Sequence, residues 1–462
     1  MLKRTKNMIK NIQLITKHSQ IKELGNSLKY DMLKELIRGA ATCQQLSTLF
    51  SVSKQKVHYN ITKLLSEGLI EVDDAEQNNG KEVYYRATAK NYVLDFALGE
   101  HLGEGLINSR SVINSILEGE YHLSLADIAA KILHDSLRLK SREHLLVVTG
   151  KYNLPLVEKM ILESGRMNVR CTVIYQDAEL LKAKYEEYSL AAFNADYQHF
   201  NKLLRTQNVY LNLNGESRFV ALTDQAKIKL RQKHFAVSRQ IIQEKNIRVA
   251  VMPGLLHDTL SENVISSELQ FWKALDIDYN ELCSKTVRMC SLFENKDYLE
   301  MGSNGHSVCF KLDRILAECG SFSGNKYQSP VINFPGGEIL MVPRPNTMSG
   351  ILVGNVAYAF GEKILKPRIT IVNNEIVTFE AEENQHLIQE AINAGGVDGK
   401  KVALVCMGTN DNIGLENIDT SYKQKASGLV TVYWGENISL GGTVAGTSEW
   451  FVQIENPELL TQ

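Results

Sequence analysis

An alternation of strand-like and helix-like segments in the middle of the chain limits the possible folds most. HLLVVTG (144–150) and VRCTVIYQ (169–176) are short apolar runs, and LPLVEKMILESG (154–165) between them has the spacing of an amphipathic helix. The order strand, helix, strand predicts a parallel pair joined by a right-handed crossover. Because the runs NVYLNL and IRVAVMPG extend the series, we expect an α/β layer over residues 141–280.

Residues 300–462 are richer in glycine and in strand-like runs. VNNEIVTFEA, for example, places a turn signal between two such runs. The sequence therefore predicts an α/β fold overall, with a strand-rich C-terminal part.

The apolar spacing and the turn signals of residues 29–88 predict three short helices followed by a β-hairpin. Together these elements constitute a winged helix-turn-helix. KYDMLKELIRG and TCQQLSTLF have helical apolar spacing, and Ser53 is a good N-cap for a third helix that ends at Gly68. LIEV and EVYYRAT flank an Asn-Gly turn signal. The positions expected to face the core of this module are Met32, Leu33, Leu36, Ile37, Leu46, Leu49, Phe50, Val57, Ile61, Leu64 and Leu65.

The opposite face of the third helix has side chains suited to DNA. Lysines neutralise phosphates, whereas glutamine, histidine and tyrosine can reach base edges in the major groove. The candidate DNA-binding residues are Lys54, Gln55, Lys56, His58, Tyr59, Thr62 and Lys63, with Lys81 on the wing. Winged helices also serve as protein–protein modules, and that alternative stays open.

The turn and third helix, FSVSKQKVHYNITKLLSEGLI, and the wing, NNGKEVYYRAT, resemble those of the bacterial ArsR/MarR-like winged-helix regulators. The resemblance implies binding to double-stranded DNA, usually as a homodimer on a two-fold site. A helical apolar period over 91–140, from Val93 and Phe96 to Ile132 and Leu133, fits either packing between domains or a dimerisation helix. We expect boundaries at 1–90, 91–140, 141–299 and 300–462.

Three runs in the C-terminal part resemble the aminopeptidase T family of metallo-aminopeptidases, whose fold the 2,5-dihydroxypyridine dioxygenases share. They are NFPGGEILMVP (333–343), VALVCMGTN (402–410) and YWGENISLGG (433–442), and the resemblance extends over residues 130–456. It implies an aminopeptidase T-like body.

The family's metal ligands are mostly replaced in this chain. The resemblance implies that Glu338 matches a metal-binding glutamate, whereas Lys401, Thr431, Glu449 and Phe451 stand where the family has other ligands. No histidine follows His386, so no shift of the alignment restores the late histidines. We expect no bound metal and no catalytic residue, with Glu338 either paired with Lys401 or a simple turn carboxylate.

Composition excludes several classes. With 51 Lys and Arg against 53 Asp and Glu, the net charge is −2, so the chain is not basic throughout. Seven cysteines without a CxxC pair favour a reducing, cytoplasmic setting. No apolar run reaches the ~18 residues of a membrane span, and no phosphate-cradling loop indicates a cofactor.

These features predict a ligand-responsive transcription regulator whose non-catalytic body senses a small-molecule effector. The expected ligand contacts line the former catalytic cavity: Glu338, Lys401, Thr431, Tyr433 and Glu449. Two alternatives stay open: an active metallo-aminopeptidase or dioxygenase with an accessory winged helix, and a protein-interaction scaffold.

Overall fold

A computed structural model describes residues 9–15, 17–73, 83–94, 117–119, 121–150, 153–213, 224–252, 262–294, 296, 298–303, 305–415 and 422–461. The chain divides into two compact units. The amino-terminal unit comprises Met1–Glu120 and His257–Glu268, and the body comprises Tyr121–Leu256 and Leu269–Gln462.

The amino-terminal unit contains a winged helix, as the sequence predicts. Its elements are β1 (Lys10–Ile15), α1 (His18–Leu24), α2 (Ser27–Arg38), β2 (Ala41–Thr42), α3 (Cys43–Phe50), α4 (Lys54–Ser66), β3 (Ile70–Val72), β4 (Tyr84–Ala87) and β5 (Ala89–Leu94). The strands β2, β4 and β3 form a three-stranded sheet in that order. The Thr42 side chain caps α3 and the Ser53 side chain caps α4, each by accepting a backbone N–H three residues later.

Two residues predicted to be buried are exposed. Leu49 on α3 is 59% exposed and Leu65 on α4 is 38% exposed, whereas Asn60 on α4, which was not predicted to face the core, is buried. The buried positions of α4 are Val57, Asn60, Ile61 and Leu64. They follow the i, i+3, i+4, i+7 pattern, and the next residue, Leu65, lies a further ~100° around the helix axis.

The segment predicted as a helical connector begins as a strand. β5 pairs in parallel with β1, and Val93 lies opposite Leu14 in that pair. The prediction of a helix at Val93 is therefore wrong, because strand pairing over a long sequence separation leaves no local signal. Phe96, Ala97, Val112, Ile113 and Ile116 lie outside the described residues. Further along, α5 (Leu125–Lys131) continues as a π-helical turn, Ile132–Ser136.

The first half of the body alternates strands and helices as predicted. Its elements are β6 (His144–Thr149), α6 (Leu154–Arg166), β7 (Arg170–Tyr175), α7 (Ala178–Glu187), α8 (Leu190–Leu204), β8 (Val209–Leu213), α9 (Gln225–Lys245), β9 (Arg248–Val251), α10 (Glu262–Leu275) and α11 (Tyr279–Phe293). The residues of α10 up to Glu268 are counted with the amino-terminal unit.

The second half is strand-rich, also as predicted. Its elements are β10 (Leu299–Ser303), β11 (His306–Phe310), β12 (Leu312–Glu318), β13 (Val331–Asn333), β14 (Glu338–Pro343), β15 (Ser349–Val353), β16 (Val356–Ala359), β17 (Glu362–Leu365), β18 (Arg368–Val372), β19 (Glu375–Glu380), α12 (His386–Ala394), β20 (Val402–Gly408), β21 (Leu429–Glu436), β22 (Ala445–Glu455) and β23 (Glu458–Thr461).

Three sheets organise the body. A five-stranded parallel sheet has the order β13-β9-β8-β6-β7, so one of its strands comes from the strand-rich half. The other two are six-stranded (β19-β18-β15-β11-β10-β23) and seven-stranded (β12-β14-β20-β21-β22-β16-β17). Because side chains alternate along a strand, one face of the seven-stranded sheet carries the large apolar core, including Met341, Val405, Val432 and Trp434.

The described part of the chain contains no helix that is both long and apolar enough to cross a membrane. All seven cysteines are free thiols.

Replacing Trp434 with alanine should destabilise the body strongly. The Trp434 ring is fully buried and stacks on Trp450 with 4.2 Å between ring centroids, and its indole N–H donates to the Lys400 carbonyl. Removal of such a side chain costs about 3–5 kcal/mol, to be measured by urea unfolding. As the control, Val397→Ala at a 99% exposed position should change little. Equal effects from the two variants would contradict this packing.

Candidate functional site

The outer face of α4 carries all seven predicted DNA-binding residues of that helix. Lys54, Gln55, Lys56, His58, Tyr59, Thr62 and Lys63 are exposed. The buried stripe on the other side of α4 fixes their direction. The eighth predicted residue, Lys81, lies outside the described residues.

Tyr59 is the most prominent side chain on this face, with 60% of its surface exposed. The ammonium groups of Lys29 and Lys63 each lie 5.9 Å from the centroid of its ring. Lys29 is also paired with Glu23, which leaves Lys63 as the cation on this face beside the ring. The hydroxyl of Thr62 donates to the His58 carbonyl at 2.8 Å, so only its lone pairs remain for a partner.

The second candidate site lies on the seven-stranded sheet, on the face opposite the apolar core. The register places Thr431 opposite Cys406 and Gln453, and Tyr433 opposite Phe451. Since side chains alternate, these residues and Glu449 share one face. Burial, reinforced by Cys406 and by the carboxylates Glu338 and Glu449, holds the pKa of Tyr433 well above its usual value. Four of the five predicted ligand contacts therefore belong together: Glu338, Thr431, Tyr433 and Glu449.

Lys401 does not belong to this group. Its ammonium pairs with Asp398 at 2.8 Å, and its side chain is 40% exposed. Lys401 directly precedes β20, whereas Glu338 lies opposite Gly408 at the far end of that strand. At ~3.3 Å per residue the two positions are roughly 20 Å apart along the strand. Of the two alternatives for Glu338, the ion pair with Lys401 is therefore wrong.

The cation beside Glu338 is Lys425 instead. Its ammonium lies 2.7 Å from a carboxylate oxygen of Glu318 and 3.6 Å from one of Glu338. It also donates to the carbonyl oxygen of Asn333. All three charged residues are buried, and Glu318 is fully inaccessible. They form the buried charge cluster Glu318–Lys425–Glu338.

Neither Glu318 nor Lys425 was singled out by the sequence. Glu318 ends β12, directly opposite Glu338 in the ladder with β14. Lys425 lies in a short 3-10 turn, Lys423–Lys425, before β21. No sequence pattern indicates that a lysine in a polar turn is buried. Only its tertiary contact with Glu318 identifies Lys425 as part of the site.

Two glycines place Glu338 at the start of β14. A Cβ atom added at Gly336 would overlap the backbone of Gly320, and Gly337 has a φ of 117°. The Asn410 amide donates to the Gly336 carbonyl at 2.8 Å. The Gly-Gly step of NFPGGEILMVP is thus required for the close approach of this loop to its neighbours.

The sheet face has unpaired hydrogen-bonding atoms. Within the described residues, the Thr431 hydroxyl and the Gln453 amide oxygen are buried without a hydrogen-bond partner. The same part of the chain holds no group of three or more His, Cys, Asp and Glu side chains with metal-binding geometry.

No protein-family model matches the sequence, and no curated protein matches it. Two solved structures share the fold. AmpT from Thermus thermophilus has a TM-score of 0.55 and 13% identity, covering 73% of this chain and 96% of its own. The 2,5-dihydroxypyridine dioxygenase from Pseudomonas putida KT2440 has a TM-score of 0.50 and 12% identity, covering 73% and 93%. At these identities, the likeness establishes an AmpT-like fold for the body and no chemistry.

A homodimeric winged helix-turn-helix DNA-binding domain from Mycobacterium bovis matches 16% of this chain and 63% of its own. Its identity is 24% and its TM-score is 0.14. A score this low carries no argument, so the winged helix rests on its own elements and sheet order.

Glu338→Gln should change how stability depends on pH. Burial raises the pKa of Glu338 above 4.5, and Glu318 adds to the rise although Lys425 opposes it. The folded protein therefore binds this proton more tightly than the unfolded chain. Binding of this proton stabilises the folded state. The contribution to the free energy of unfolding is complete below pH 4.5 and is lost as the pH rises through the pKa of Glu338 in the folded protein.

In urea titrations at several pH values, the free energy of unfolding of the wild type should fall relative to Glu338→Gln as the pH increases from 4.5. The matched control is Glu362→Gln, at an exposed position on β17, which should run parallel to the wild type. A constant difference between wild type and Glu338→Gln at all pH values would refute the raised pKa.

Proposed function

We propose that this protein is a cytoplasmic, ligand-responsive transcription regulator. The winged helix binds double-stranded DNA, and the AmpT-like body is a sensor without catalytic activity. The observation that carries the proposal is the exposed face of α4, where seven cationic or hydrogen-bonding side chains stand together with no carboxylate among them.

The face of α4 has what major-groove recognition requires. Lys54, Lys56 and Lys63 neutralise phosphates, while Gln55 and His58 reach base edges. Tyr59 adds a hydroxyl on a rigid ring, and Lys81, which the sequence predicts to lie on the wing, would contact the adjacent DNA backbone. One winged helix reads only a few base pairs, so a homodimer on a two-fold site is part of the proposal. Light scattering that finds a monomer at micromolar concentration, with and without DNA, would contradict that part.

Within the described residues, the side chains around Glu338 do not fit a pair of metal ions. A dimetal centre needs several anionic or imidazole ligands to hold two divalent cations about 3.5–4 Å apart. Here the ammonium of Lys425 already lies 3.6 Å from Glu338. Thr431 and Phe451 stand at two positions that the family resemblance aligns with metal ligands, and neither side chain is anionic or an imidazole. This arrangement supports a body without metal catalysis. The alternative, an active enzyme with an accessory winged helix, is supported by the fold shared with AmpT and the dioxygenase.

The proposed effector contacts are the four residues that share the sheet face, namely Glu338, Thr431, Tyr433 and Glu449. Lys401 is no longer among them because Asp398 holds its ammonium elsewhere. The unpaired Thr431 hydroxyl on this face supports a polar ligand, since buried polar atoms normally have partners.

Charge reversal at the exposed Glu449 should abolish the change in DNA affinity that the effector causes, and an unchanged response would exclude this face.

Alanine substitutions on α4 should separate affinity from specificity. Lys54→Ala and Lys56→Ala should weaken binding to all sequences and reduce the slope of log K against log salt by about 0.9 for each phosphate that is no longer neutralised. Gln55→Ala should relax the sequence preference instead. Binding is measured by fluorescence anisotropy with a promoter fragment of the protein's own operon and with random DNA at several salt concentrations.

Lys245→Ala is the matched control, since this exposed lysine lies at the end of α9 in the body. It should leave both affinity and salt slope unchanged. If the wild type prefers no promoter fragment over random DNA, or if Lys245→Ala weakens binding as much as Lys56→Ala, the proposed DNA interface is wrong.

A further inference from the structure

A cavity lies in the α/β layer of the body, between the parallel sheet and helices α8 and α9. Its volume is about 500 Å³, within the 300–1,000 Å³ typical of small-molecule sites. The sheet contributes Val148, Ile174 and Asn212 to its lining, and the two helices contribute Tyr197 and Arg231 among others. None of its lining residues belongs to the sheet face around Glu338.

The cavity extends from the middle of the sheet to the end at which parallel α/β sheets commonly bind ligands. In the order β13-β9-β8-β6-β7, the chain passes from β6 to β7 on one side and then returns to β8 on the other. Ligands bind at the carboxyl ends of the strands beside such a reversal. Val148, Ile174 and Asn212 are each the next-to-last residue of their strand, and the register places Val148 opposite both others.

The helical wall of the cavity is aromatic, and contacts with neighbouring rings fix the orientation of Tyr197. Tyr197 makes edge contacts with Phe193 and Phe235 at centroid distances of 5.1 and 6.1 Å, and stacks on His234 at 5.4 Å. His234 in turn is hydrogen-bonded to Asn194 on α8 at 2.8 Å. Burial, together with Lys233, lowers the pKa of His234, so the ring behind the wall stays neutral. The wall therefore offers a fixed apolar surface to a ligand.

Arg231 is the available charge in the lining. The other lining cation, Lys184, is paired with Asp196 at 2.9 Å. Arg231 lies over the ring of Phe235 at 4.8 Å, and within the described residues no carboxylate lies at ion-pair distance from it. A half-buried guanidinium beside an apolar cavity favours a carboxylate, which it can bind with two parallel hydrogen bonds. Burial raises the pKa of Tyr210, also in the lining, to about 12, so its hydroxyl stays protonated.

We propose that this cavity binds a small amphipathic carboxylate. Its apolar or aromatic body lies against Tyr197 and Phe235, and its carboxylate pairs with Arg231. The proposal goes beyond the regulator function and does not depend on it, because binding is measured on the protein alone without DNA.

The test uses the full chain and three probes of equal length, 4-phenylbutyrate, 4-phenylbutanol and 4-phenylbutylamine, titrated by calorimetry. The acid should bind saturably at one site per chain and at least about tenfold more tightly than the alcohol or the amine, a ratio worth about 1.4 kcal/mol. Arg231→Gln should remove that preference and leave the alcohol unchanged. Arg239→Gln, an exposed position later on the same helix, is the control and should bind like the wild type.

A variant that fills the cavity provides the second measurement. Thr172→Phe introduces a ring at a half-buried lining position and should weaken the acid and the alcohol alike. Should it fail to fold, as judged by circular dichroism, Arg231→Gln decides alone. Absence of saturable binding to the wild type, equal affinity for acid and alcohol, or an unchanged acid affinity in Arg231→Gln would each overturn the proposal.

Discussion

The buried charge cluster Glu318–Lys425–Glu338 is the constraint on which the centre of the body depends. Moving an ion out of water costs several kcal/mol even after relaxation, and removal of one partner from a buried pair costs about 3–5 kcal/mol. Glu318 has no accessible surface, and its carboxylate also accepts the Gly320 N–H at 3.0 Å. Lys425 is therefore indispensable to the junction of β12, β14 and the turn before β21.

The seven-stranded sheet has two chemically different faces, because side chains alternate along its strands, and Glu338 of the cluster lies on the polar one. One face packs aliphatic side chains and the stacked Trp434–Trp450 pair into the large core. The other face collects Glu338, Cys406 and Tyr433; burial, with a contribution from the Glu338 carboxylate, raises the pKa of both Cys406 and Tyr433. A strand that alternates in this way has one register only, because a slip by one residue would bury carboxylates in the core. The polar face and the core thus specify the same pairing.

The sequence predicts those parts of the fold that follow from local periodicity. The alternation around residues 144–176 and the cap at Ser53 are local, and the structure confirms the elements they predict. The parallel pairing of β1 with β5 and the contact of Lys425 with Glu338 join residues distant in sequence, and no local pattern encodes them. The predicted burial of Leu49 and Leu65 is wrong because each has an apolar neighbour next to it in sequence, and the pattern does not decide which of two residues ~100° apart faces inward. For the candidate sites, the exposed residues of α4 were predictable, whereas Lys425, Glu318 and Arg231 were not.

The ammonium of Lys425 lies 3.6 Å from the Glu338 carboxylate, and the proposed function takes it to occupy the place of a metal ion. Equilibrium dialysis of the purified full chain against Zn²⁺, Co²⁺, Mn²⁺ and Fe²⁺, followed by metal analysis, tests it most directly. The account predicts that the wild type retains far less than one ion per chain. Stoichiometric retention of one or two ions per chain, accompanied by hydrolysis of an aminopeptide substrate, would contradict it.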